Sequence, residues 1–183
     1  MPLETVKDIM LPLGEYAVVD EDATMVDALH ALEAAQAKVP AGRHPHRAVL
    51  VKNKAGAIVG KLGHLAFFAG LEPRYEELGD LSALSRVGLS TAYMSTMMQE
   101  LSVWQNDFDD YVQRAKTTKI KTVMHPVNEH IDVHDRIGEA IHKFVVHQAL
   151  SLLVLDKDQP VGILRLADLF PVIAKNIKRR AAR

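Results

Sequence analysis

The segment VGILRLADLF, Val161 to Phe170, sets Arg165 and Asp168 three residues apart where a strand pattern gives way to a helical one. A carboxylate at the head of a helix can accept two hydrogen bonds from a vicinal diol such as a ribose. A guanidinium beside it can grip a phosphate through a two-pronged contact. An acid in the first turn of a helix also simply complements the helix dipole, so both readings of Asp168 stand at this point. A second polar cluster, His46 and Arg47 in RHPHRAVLV, opens another apolar strand pattern, and polar loops of this kind commonly lie in solvent.

Other chemistries drop out. The chain has no cysteine, which removes disulfides, thiolate nucleophiles and thiolate zinc sites. Among nine histidines, His125, His130 and His134 lie close together and His44 and His46 flank a proline. Neither group has the i, i+4 helical spacing with a carboxylate that a zinc enzyme uses. His130 and His134 straddle a strand pattern, where a spacing of four places both on one face and supplies two ligands but no third. No metal site is expected. No nucleophile elbow, phosphate-binding Walker loop or dinucleotide fingerprint is present, so no catalytic residues are assigned and a binding module is expected instead of an enzyme.

The elements that must position these residues come in two copies. TVKDIM, from Thr5, reappears as KIKTVM, from Lys119. Each leads through an extended stretch into a helix, with Met25, Ala28, Leu29 and Leu32 at helical spacing in one copy and Ile137, Ala140, Ile141 and Phe144 in the other. A buried-strand pattern follows each helix (RAVLVKN, LSLLVLDKD), then a turn and a glycine-bearing strand (KAGAIVGKLG, DQPVGILRL), then a closing helix (HLAFFAGLE, ADLFPVIAKNI). The first copy carries an extra VPAGRHPH before its middle strand. Each copy reads βαββα and is too small to bury its own sheet, so the two must pack together as one α+β module with pseudo-two-fold symmetry. The predicted spans are 1–70 for the first repeat, 71–117 for a helical connection and 118–183 for the second repeat with its C-terminal helix.

The connection is too long and too apolar for a flexible linker. From Ser90, residues Met94, Met97, Met98, Leu101, Trp104 and Phe108 recur every three or four positions and continue to Tyr111 and Val112. That spacing predicts one amphipathic helix, kinked near Gln105 and Asn106, whose methionine-rich face serves core or dimer contact.

A net charge of −1 gives no electrostatic case for nucleic acid or an anionic membrane, and the basic KNIKRRAAR suits a solvated helix end. No apolar run approaches the roughly 20 residues of a membrane span. MPLETVKDIM has an acid and no apolar h-region, unlike a secretory signal, so a cytoplasmic location is expected.

The ordered set, an opening V/I-x-D/T-I/V-M, then TMVDAL or RIGEAI at the first helix, then a strand-glycine-strand-Asp ending, resembles a tandem cystathionine-β-synthase (CBS) domain pair, a Bateman module. That resemblance implies two units associated through their sheets, a disk-shaped homodimer, and clefts between units that bind adenosine-containing ligands to regulate a partner protein. The family's ligand motif is glycine, two apolar residues, Ser or Thr, two variable residues, then Asp. In the second copy it falls on Gly162, Ile163, Leu164, Arg165, Leu166, Ala167 and Asp168, with Arg165 in place of the hydroxyl residue. In the first it falls on Gly60 to Ala66, where both hydroxyl and acid are missing, so at most one good site per chain is expected. His46 and Arg47 resemble the His-Arg pair ahead of the middle strand in nucleotide-sensing members. The resemblance thus implies Asp168 on a ribose, Arg165, His46 and Arg47 on phosphates, and Ala149, Leu150, Ser151, Leu152 and Leu153 beside the base of AMP, ADP, ATP or S-adenosylmethionine, with no other cofactor. A ligand-free dimerisation or docking scaffold is the alternative.

Overall fold

The computed structural model describes residues 5–39, 43–72, 74, 91–100 and 107–182. Among the described residues, two four-stranded sheets carry the fold. The first repeat supplies β2 (Val18–Asp20), α1 (Met25–Gln36), β3 (Ala48–Lys52), β4 (Ile58–Gly63) and α2 (His64–Leu71); the second supplies β6 (His130–Asp132), α5 (Ile137–His147), β7 (Ser151–Asp156), β8 (Gln159–Arg165) and α6 (Leu166–Ala181). In each, a parallel pair (β2 with β3, β6 with β7) is joined by its helix, and an antiparallel hairpin follows. This is the βαββα order expected for both copies.

The helices start where local chemistry says they should. Thr24 caps α1, accepting from the Asp27 amide at 3.2 Å while the Asp27 carboxylate accepts from the Thr24 amide at 2.8 Å. TMVD is therefore a capping box. Met25 and Ala28 of α1, and Ile137, Ala140 and Phe144 of α5, are buried at the predicted helical spacing.

Strand exchange joins the halves. Leu11–Pro12 (β1) pairs antiparallel with β8, in the second repeat's sheet, and His125–Pro126 (β5) pairs with β4, in the first. The flanking 3-10 turns follow: Val6 lies in the core of the second repeat with Ile131 and Leu152, and Ile120 in that of the first with Val49 and Val51. Backbone bonds repeat the symmetry, from Val6 N to Asp135 O (2.9 Å) and from Ile120 N to Ala23 O (2.9 Å). Each sheet thus gains one two-residue strand from the other repeat's span.

This exchange explains the two strand glycines. Gly60 faces Pro126 and Gly162 faces Pro12 across the exchanged strands. A Cβ at Gly162 would collide with the Leu11 carbonyl, and one at Gly60 with the Met124 side chain.

A third cluster, Leu11, Tyr16, Leu50, Leu153 and Ile163, draws on both sheets and forms the seam between repeats. In the connection, α3 (Thr91–Glu100) and α4 (Phe108–Thr117) are two helices, where the spacing predicted one helix kinked near Gln105 and Asn106. Asp107 caps α4 with a box to Asp110, which starts a new helix there. Leu101, Trp104, Gln105 and Asn106 lie outside the described residues, as do the side chains of Met94, Met97 and Met98. Phe108 is exposed and Ala115 is buried.

Candidate functional site

Arg165 ends β8 and stands at the head of α6, so its side chain projects from the second repeat's sheet toward the first repeat. Its side chain is only 7% exposed. Nε and Nη2 donate to the two carboxylate oxygens of Asp168, one turn into α6, with Nη2 to Oδ1 at 2.8 Å. Nη1 donates to the Pro45 carbonyl at 3.2 Å and lies 3.3 Å from His46 Nδ1, and Nη2 also donates to the His44 carbonyl at 3.2 Å. Arginine has five N–H donors, and here each has an acceptor. Three of those acceptors lie some 120 residues upstream, in the loop before β3.

The pair fixes the state of His46. A guanidinium has no lone pair to offer, so Nδ1 must accept and the proton sits on Nε2. The ring is buried, meets Tyr16 edge-on at a centroid distance of 4.7 Å, and its Nε2 makes no well-formed hydrogen bond among the described residues, although the Glu15 backbone lies close enough to act on it. Burial first, and then the neighbouring guanidinium, pull its pKa below the ordinary 6.5, with Asp168 and Glu15 opposing. A second charge here would face Arg165 directly, so the ring is neutral. Burial also pushes the Tyr16 phenol up to about 12, against the pull of Arg165.

The remaining sequence-predicted residues scatter by strand parity. Arg47 is exposed. Leu152 is buried in the helix-facing core and Leu153 in the seam. Ala149 packs at the edge of the former, and Leu150 is 72% exposed. Ser151 faces the first repeat and accepts from Lys61 Nζ at 3.2 Å. Arg165, Asp168 and His46 are therefore one cluster, Ser151 pairs with Arg165 across the strands but bonds to Lys61 instead, and Arg47 and Leu150 face solvent.

Lys61 escaped sequence reasoning. It lies in β4 one residue after Gly60, as Ile163 in β8 follows Gly162, so it is a charge where the second repeat places a buried isoleucine. Burial lowers its pKa, with Glu129 opposing. Among the described residues no carboxylate comes within salt-bridge distance of it. The signal was one cation inside the apolar strand AIVGKLG.

Two hollows open away from these clusters. One of about 180 Å³ lies between α1 and α2, lined by Leu29, Leu32, Phe67 and Phe68 among others, and one of about 530 Å³ is bordered by Leu71, Asp110 and Arg114. The helices expose an apolar face on both repeats: Leu65 (83%), Phe68 (63%), Val145 (71%) and Phe170 (67%). His134 falls in the turn beyond β6, so the expected pairing with His130 on one strand face does not form. No helix among the described residues is long and apolar enough to cross a membrane.

Residues 120–175 match the family model of the CBS domain. No curated protein sequence matches the chain significantly. Among solved structures, a CBS domain-containing protein of unknown function from Bacillus anthracis str. Ames Ancestor aligns with TM-score 0.61 at 14% identity, covering 93% of this chain and 93% of that one. The CBS domain of a CBS domain containing membrane protein from Sphaerobacter thermophilus aligns with TM-score 0.60 at 20% identity, over 91% and 86% of the two chains. CBSX2 in complex with AMP aligns with TM-score 0.58 at 17% identity, over 93% and 97%. At these identities the likeness establishes the fold.

Proposed function

We propose that this chain, a CBS domain over residues 120–175 and a CBS pair in its overall fold, is a regulatory module, not an enzyme, that binds an adenosine-type ligand between its repeats. The observation that carries the reading is the concentration of ionisable side chains in an otherwise apolar seam: Arg165, Asp168 and His46 in one group, and beside it Lys61 on Ser151, the strand partner of Arg165. Buried charge is costly to keep, and its retention at an interface is a mark of binding sites. In this reading Asp168 receives the ribose hydroxyls, Arg47 and the Lys61 ammonium attract phosphate, and Ser151 lies beside the ligand. AMP in a similarly folded protein supports the ligand class. The exposed apolar helix face supports a homodimer, and a regulated partner protein would read the resulting change in how the repeats meet.

Calorimetric titration with AMP, ADP, ATP and S-adenosylmethionine tests this. One of them is expected to bind, and Asp168→Ala is expected to abolish the heat. Absence of binding for all four, with a dimer disrupted by Phe68→Glu, is the outcome of the second reading, a docking scaffold. That reading is favoured by one feature: Arg165 and Asp168 already satisfy each other without a ligand.

A further inference from the structure

The five-fold engagement of Arg165 is the geometry of a bound ligand, supplied by the chain itself. Its acceptors come from two places distant in sequence: the Asp168 carboxylate on α6, and the His44 carbonyl, Pro45 carbonyl and His46 imidazole of the loop before β3. A carboxylate gripped on both oxygens by one guanidinium keeps only its two outer lone pairs, and with the Asp168 side chain 16% exposed these are poorly placed to take a vicinal diol while the guanidinium stays. We propose that Arg165 is an internal occupant of this site, a latch that holds Asp168 and ties the 44–46 loop of the first repeat to α6 of the second, so that a diol-bearing ligand must displace it and thereby release the loop. The proposal rests on the ligand reading above for its trigger, but the latch itself does not.

The latch is a closed set. The neutral His46 ring offers a lone pair where a charged ring would offer a proton, and the His46 amide is held separately by Gln36 Oε1 at 2.8 Å. Among the described residues the side-chain hydrogen bonds thus hold the loop once to its own repeat, through α1, and three times to the other repeat, through Arg165, while Tyr16 and the Glu15 backbone border the His46 ring. Losing the guanidinium removes every hydrogen bond described between this loop and the second repeat. The first repeat has no counterpart: Gly63 and Ala66 stand where Arg165 and Asp168 do.

Arg165→Met in the full chain keeps side-chain length and removes all five donors. Two readouts apply: amide hydrogen exchange over residues 43–47, and AMP affinity by calorimetry. Exchange there is expected to quicken, and AMP to bind about tenfold tighter or more, because the wild type binds only from its unlatched fraction. AMP added to the wild type should quicken exchange in the same loop. The double variant Arg165→Met/Asp168→Asn, which leaves no unpaired buried carboxylate, gives the same exchange result should the single variant fold poorly. Unchanged exchange over 43–47 in both variants overturns the latch. So does wild-type protein that binds AMP as tightly as Arg165→Met, or that slows exchange in the loop on binding. Faster exchange with no AMP binding to either protein upholds the tether and defeats the ligand reading instead.

Discussion

The two edges of the seam come from the same repeat design and differ in how they treat charge. At the β8 edge, Arg165 is matched donor for donor and buried with its anion. At the β4 edge, Lys61 is partly buried beside a hydroxyl, with Glu129 acting on it from farther away. One edge is saturated from within; the other keeps a cation in want of an anion. The comparison teaches that pseudo-symmetric clefts diverge through a few side chains: Gly63 and Ala66 against Arg165 and Asp168, Lys61 against Ile163.

The largest break in that contrast is Asp168→Ala. It strands a buried guanidinium without its anion and is expected to lower stability by about 3–5 kcal/mol in urea unfolding, because an uncompensated buried charge costs more than the pair contributes. Removing Lys61 from the other edge should do nothing comparable.

Next comes the glycine pair. Gly162→Ala drives a Cβ into the Leu11 carbonyl, which can move only with β1. A loss of about 2–3 kcal/mol is expected. Gly60→Ala meets first the Met124 side chain, which can swing aside, although the His125 carbonyl stands 3.1 Å away. About half that loss is expected, again by urea unfolding. Equal losses would mean the exchanged strands are equally yielding.

Acid should act on the saturated edge. The folded-state pKa of His46 lies below the ordinary 6.5, so the unfolded chain takes up that proton first as pH falls. The stability from neutral His46 is complete above about 6.5 and is lost progressively below it, toward the folded pKa. Thermal unfolding from pH 7.5 to 5 should therefore fall more steeply in the wild type than in His46→Gln. Parallel slopes would remove His46 from the latch.

The smallest effect is expected at Lys61→Met. Replacing a half-buried ammonium by an apolar chain of similar length, opposite an apolar seam, should raise stability by up to about 1 kcal/mol. It should also weaken any phosphate-dependent part of nucleotide affinity, read as AMP against adenosine.

Much of this architecture was legible in the chain. Both βαββα units follow from helical and strand periodicity, and TMVD marks the start of α1 by capping chemistry. The strand exchange was not, because Leu11–Pro12 and His125–Pro126 are two residues each and carry no periodic signal. The glycines looked like part of a ligand motif, whereas close approach of those exchanged strands already requires them. Arg165, Asp168 and His46 were singled out as residue types able to hold sugar and phosphate, and the fold brings the three together. Their mutual pairing was invisible, since the 44–46 loop reaches Arg165 only through the folded seam. Lys61 was passed over because one lysine in a strand reads as an edge charge, and only the packing of two sheets places it inside.

A crystal structure of the full chain grown with AMP puts the central claim to the most direct test. The account predicts AMP in the seam with its ribose on Asp168 and the Arg165 guanidinium swung away from the 44–46 loop. AMP absent from the seam, with Arg165 still on both oxygens of Asp168 at saturating nucleotide, would contradict it.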